Sequence, residues 1–189
     1  MLTEFYSIFI RSLKLDKTLY KEKKYFENEG GIYFAILIII FTALVSLIPH
    51  KAILNFYSQF DLGQIEFPSL LMVVLGSTIT WLLRSTYLFL VSIILLPNNK
   101  IKKKFIKTLI VVAFAHTAFI FNLFILDFKI IYLTFAIYVW YCIILIVGIN
   151  QIYQLNNILK STIVVMAPLA IFFIFILYLI FSNPSGTIS

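Results

Sequence analysis

Two segments of the chain, Leu133–Val147 and Ile163–Ile180, contain no charged side chain at all. Runs of this kind suit the hydrocarbon core of a bilayer, which a helix of about 20 apolar residues crosses. Three further stretches have the same character: Ile32–Pro49, Ser69–Pro97 and Thr108–Leu126. Composition agrees. The 189 residues are 62% hydrophobic and 12% charged, with a mean hydropathy of +1.03. Soluble domains are nearer half apolar and about one quarter charged. A domain this small still exposes roughly a third of its chain surface, so it cannot hide that excess in its own core.

The sequence therefore predicts an all-α polytopic membrane protein with five transmembrane helices and an N-terminal amphipathic interfacial helix. Residues 1–31 form a cytoplasmic lead-in and 32–181 the membrane domain. Its spans fall at about 32–49, 69–96, 108–126, 130–149 and 161–181, and 182–189 form a short external tail. The second stretch is long for one crossing, since a helix of ~28 residues rises ~42 Å. Two crossings of about 14 residues each would be too short, so one projecting or bent helix is expected. The first apolar segment follows a charged lead-in and reads as an anchor, not a cleaved signal.

Basic residues orient these spans. Arg11, Lys14, Lys17, Lys21, Lys23 and Lys24 precede the first span, and Lys100, Lys102, Lys103, Lys104 and Lys107 fill the loop between spans two and three. Lys160 lies between spans four and five. With five spans all of these share one face, against only Lys51 and Lys129 on the other. The rule that cytoplasmic loops are rich in Lys and Arg then places the N-terminus in the cytoplasm and the C-terminus outside. The net charge of +7 sits beside the membrane, which argues for anionic lipid headgroups or an acidic cytoplasmic protein as partners and against nucleic acid. Self-association is left open.

In the lead-in, Leu2, Phe5, Phe9 and Leu13 keep helical spacing, which predicts a helix lying in the interface. Ile8 and Ile10 interrupt that face. On the opposite side of the first span, Ile53, Phe56, Tyr57 and Phe60 repeat the spacing. Deleting residues 1–30 is expected to leave a folded bundle.

Few residues suggest chemistry. Lys100, Lys102, Lys103, Lys104 and Lys107 form the clearest electrostatic feature; near an anionic leaflet such residues contribute about 1 kcal/mol each. The same residues also serve as a topology signal. Arg84 is the one charge within a span, and no Asp or Glu lies inside any span to pair with it. It either snorkels to the headgroups or makes a polar contact inside the bundle. His116 lies mid-span among small residues, suited to helix packing or, less directly, to proton transfer. Cys142 is the only cysteine and reads as an apolar filler. No zinc-protease, nucleophile-elbow or phosphate-loop motif is present, and no acidic pair sits at membrane depth. The expectation is a protein that is not an enzyme and holds no cofactor and no metal.

Three features resemble the Yip domain family (the Ypt/Rab-interacting type) and its prokaryotic relatives. One is the lead-in Ser12–Glu22 followed by Glu27–Gly31. Another is the five-span layout with its N-terminus inside. The last is Phe105–Ala115, which is similar to the start of the family's third span after a basic loop, with the polar break Gly148–Lys160 following later. The resemblance implies a membrane scaffold that recruits a partner or shapes the bilayer, since eukaryotic members act in membrane traffic and contact Rab-type GTPases. It assigns no functional residue. The rival reading is a small transporter or channel subunit with a polar path near Arg84 and His116.

Overall fold

A computed structural model describes residues 2–26, 30–58, 70–96, 102–124, 130–155, 157–167, 170 and 174. Its helices are α1 (Leu2–Leu13), α2 (Lys23–Phe26), α3 (Gly30–Ser58), α4 (Leu70–Leu95), α5 (Lys102–Ala115), α6 (Ile130–Ile152) and α7 (Ile158–Ala167). A 3-10 turn, Leu19–Lys21, joins α1 to α2, and a 3-10 stretch, His116–Phe124, continues α5. Among the described residues four segments are long and apolar enough to cross a membrane: Gly30–Leu47, Leu70–Leu95, Lys104–Leu123 and Tyr132–Ile152. The chain is an all-α polytopic membrane protein. Most of the expected fifth span and the whole external tail lie outside the described residues, and only Ile158–Ala167 of that region forms a described apolar helix.

Charge and burial explain how these helices sort. Along α4 the large side chains Leu71, Met72, Leu75, Ile79, Leu83, Leu90 and Ile94 stay exposed. They make a continuous apolar surface of the sort that needs a non-aqueous neighbour. The opposite face of α4 buries Trp81, Ser85, Leu88 and Ser92. The two serines satisfy their hydroxyls on the carbonyls of Trp81 and Leu88, one turn back. The centre of the bundle is α5. Ile110, Val111, Val112, Ala113, Phe114 and Ala115 are all fully buried, as expected of a helix apolar on every side. It packs against α3, α4 and α6, and the Trp81 indole N–H donates to the Leu109 carbonyl at 2.9 Å, tying α4 to α5.

The structure changes two expectations about local boundaries. Residues Lys102–Lys107, expected in a loop, are the first turns of α5. The helix that carries the first span does not stop at Pro49: α3 runs on to Ser58, although the apolar crossing within it is Gly30–Leu47; its side chains beyond Leu47 lie outside the description. The second stretch is one helix of 26 residues, as its length requires.

The lead-in is also more than an interfacial helix. Ile8, Phe9 and Ser12 of α1 are buried, whereas Leu2 is 84% exposed. The face that docks is centred on Ile8, not on the line from Leu2 to Leu13. The Ser12 hydroxyl donates to the Phe114 carbonyl at 2.8 Å across the core. Phe5 and Phe9 meet the Phe41 ring edge-on, and Tyr20 and Phe26 both contact the Phe114 ring. Leu19, Tyr20, Tyr25 and Phe26 belong to the same core. Removing residues 1–30 would therefore strip one wall of that core, which reverses the expectation that the bundle would fold without them.

Polar bonds fix the turn after α1. The N–H of Asp16 reaches the Arg11 carbonyl and that of Leu15 the Ser12 carbonyl, with Leu15 in the left-handed region at φ 57. This is a Schellman ending. Arg11 pairs with Asp16 at 2.7 Å and with Glu22, and Asp16 accepts from the Thr18 hydroxyl at 2.6 Å. The Thr18 hydroxyl and Arg11 hold the Asp16 carboxyl down at about 2, against an ordinary value near 3.9. A lowered folded pKa means stability that is present above the ordinary value and lost as pH falls through the folded one. Amide protection in residues 2–18 is thus expected to hold from neutral pH to about 4 and to decline between about 4 and 2. Hydrogen exchange corrected for intrinsic rates checks this, and Asp16→Asn should remove the step.

Candidate functional site

Arg84 and His116 are separated by a helix boundary and a whole loop in sequence, yet they line one cavity of about 390 Å³. Its walls are mostly small or polar. α3 contributes Thr42 and Ser46, and α4 contributes Gly76, Ser77, Thr80 and Arg84. The 3-10 stretch adds His116, Phe119 and Asn122, and α6 adds Tyr138. The hydroxyls of Thr42 and Ser46 bond to helix carbonyls of α3, so they give a polar wall without breaking the helix.

Helix geometry explains the direction of Arg84. A side chain on an α-helix leans toward the helix N-terminus, and the N-terminus of α4 is the end away from the lysines of α5. Five residues further along α4, the Phe89 ring meets Phe105 near the start of α5, 5.1 Å between centroids. Arg84 points the other way. Its guanidinium carbon stands 5.5 Å from the Tyr141 ring centroid, and that ring in turn is 5.3 Å from the His116 ring. Arg84 faces the bundle interior. Among the described residues no carboxylate lies within ion-pair distance of it; the ion pairs there all belong to the N-terminal segment.

His116 sits where α5 tightens into a 3-10 helix. Runs of that geometry longer than three or four residues are uncommon, and here side chains compete for the local carbonyls. The Phe114 carbonyl accepts from both Ser12 and Thr117 hydroxyls, and His116 Nδ1 lies 2.6 Å from the Val112 carbonyl. A carbonyl only accepts, so Nδ1 carries the proton, and Nε2 of a neutral ring is left as an acceptor. The ring also meets Phe119 edge-on and is 7% exposed.

Arg84 and Tyr138 stand in a dividing wall. On its other side lies an apolar groove of about 1340 Å³ between α4 and α6, which includes Leu83, Tyr87, Phe135, Val139 and Cys142. The Tyr141 hydroxyl is buried beside Arg84.

Of the lysines singled out by the sequence, only Lys104 and Lys107 have described side chains. Lys100 lies outside the described residues, as do the side chains of Lys102 and Lys103. Lys104 places its ammonium 4.7 Å from the Tyr153 ring centroid. Lys107 faces a different cavity, at the end of the bundle that carries the N-terminal segment. Among the described residues no three His, Cys, Asp or Glu side chains are grouped to hold a metal ion.

No family model, no curated protein and no solved structure matches the chain. The Arg84 guanidinium, a cation without an acidic partner among the described residues, and the Asn122 amide are groups that can receive a small anion, and the His116 lone pair accepts from a solute that also carries a donor.

Proposed function

We propose that this chain is a small membrane transporter or channel subunit that admits an anionic solute to the cavity at Arg84 and His116. The observation that carries the reading is the orientation of Arg84, a charge within a membrane helix that turns into a polar cavity with no carboxylate beside it. An arginine at the centre of a membrane helix costs about 2.5–3.5 kcal/mol on insertion scales. The Tyr141 ring offsets about 0.5–2 kcal/mol of that. A bound anion would offset the remainder. Loop charges orient the protein with its N-terminus in the cytoplasm, which puts the cavity in the outer half of the bundle; α7 begins the fifth crossing.

A scaffold of Yip-like type is the second reading. It rests on the basic face and on the resemblance of the lead-in. The burial of Ile8 and Phe9 against the bundle weakens it, because the apolar face that would wedge into a membrane is already covered.

Flux into proteoliposomes separates the two. Chloride, acetate or phosphate should enter faster than in protein-free vesicles. Arg84→Leu should cut that rate about tenfold or more, the worth of one charged hydrogen bond, and His116→Leu should alter it. Leu83→Ala, on the exposed face of α4, should not. Vesicles that stay as tight as protein-free ones to all three anions would remove the transport reading.

A further inference from the structure

The polar cavity and the apolar groove follow one another along α4. The cavity accompanies the helix from Met72 to Arg84. The groove begins beside Arg84 and continues to Leu90, and on α6 it runs from Thr134 to Ile146, a length of about 18 Å on a helix. Arg84 and Tyr138 line both spaces. One charged group therefore stands at a junction, with hydroxyl and amide groups on one side and hydrocarbon on the other.

Charge limits what can lie across that junction. Arg84 is the only Lys, Arg, Asp or Glu among the described residues that line either space. A single guanidinium is matched by a single negative charge. A carboxylate carries one and can meet the guanidinium through two parallel hydrogen bonds, whereas a phosphate monoester carries up to two. The groove cannot select its occupant by apolarity alone, because lipid tails are as apolar as leucine. Selection therefore falls to Arg84.

The groove is open on its outer side, where Leu90 and Val139 are exposed. An alkyl tail partitions into the bilayer and can reach this opening from the hydrocarbon without crossing water. We infer that the solute received at Arg84 is a long-chain monocarboxylate of the fatty-acid class. Its carboxylate pairs with Arg84 at the foot of the polar cavity, and its alkyl chain lies in the groove between α4 and α6. The inference rests on the reading of Arg84 as an anion site and names the class of anion.

The test uses the full-length protein in phosphatidylcholine nanodiscs at neutral pH, with laurate bearing a photoreactive diazirine at its methyl end. Mass spectrometry locates the labelled residues. Saturable labelling of α6 between Val139 and Ile146 is expected. Unlabelled laurate should displace the probe, and dodecanol, with the same chain and no charge, should do so about tenfold less well or worse. That comparison needs no variant. Arg84→Leu should weaken capture by a similar factor, Arg84→Lys should keep part of it, and Val139→Trp, which fills the groove, should lower it severalfold. Displacement by dodecanol or phosphatidylglycerol as effective as that by laurate would overturn the inference. So would labelling that does not saturate, the result expected if another helix fills the groove. Small-anion flux that depends on Arg84 without laurate capture would remove this inference and leave the transport reading standing. Laurate capture that depends on Arg84 without small-anion flux would support the site and remove transport.

Discussion

Alanine at Gly31 is expected to prevent the bundle from assembling, or to lower its melting point in detergent by more than any other single methyl group. A Cβ at that position would collide with the backbone carbonyl of Tyr25 and lie 2.9 Å from Ile110 Cδ1. The obstacle is main chain, so no rotamer change relieves it. Either α2 lifts off, taking Tyr25 and Phe26 out of the core, or α3 shifts against α5. Overpacking of this kind costs about 1–3 kcal/mol or more. Gly76 supplies the internal control, because an added Cβ there meets nothing within 4 Å. Gly76→Ala should melt like the unaltered protein. Equal melting of the two variants would mean that the α2–α3 junction is looser than its contacts indicate.

Phe114→Ala should have an effect at least as large. The side chain is fully buried, its ring holds Tyr20 and Phe26, and its carbonyl receives Ser12. Truncating a buried phenylalanine costs about 3–5 kcal/mol through lost transfer energy and a residual cavity. The loss should appear first as protease access to residues 2–26, because those rings dock there. Phe135, 71% exposed on α6, should tolerate the same truncation with a change under about 1 kcal/mol. Thermal melts paired with limited proteolysis compare the two.

The elements most legible in the sequence are those written in a local pattern. Helical spacing located α1 at its observed bounds, and unbroken apolar runs located four crossings, because both depend only on residues within one helix. The docking of α1 was not legible, because it rests on Ile8, which interrupts the face from Leu2 to Leu13, and on Ser12, whose hydroxyl is satisfied by the Phe114 carbonyl far along the chain. The helical start of α5 was hidden by its lysines, which read equally as a loop or as an exposed first turn. Arg84 and His116 were both visible as isolated polar groups, but their meeting depends on the register between α4 and α5, which no local pattern records. One signal was available. Side chains lean toward the N-terminus of their helix, so an arginine on a helix running toward the basic end points away from it.

The central claim is that Arg84 and His116 share a polar, solute-accepting cavity inside the bundle. Cysteine labelling tests it most directly. In a Cys142→Ala background, single cysteines at Ser77, Thr80 and Asn122 are treated in proteoliposomes with an anionic, membrane-impermeant thiol reagent, beside Leu83→Cys and Ile79→Cys on the exposed apolar face of α4. The account predicts labelling at the three cavity positions, slowed severalfold when Arg84→Leu is added, and little at the two apolar ones. Labelling no faster in the cavity than at Leu83 and Ile79, or unaffected by the loss of Arg84, would contradict it.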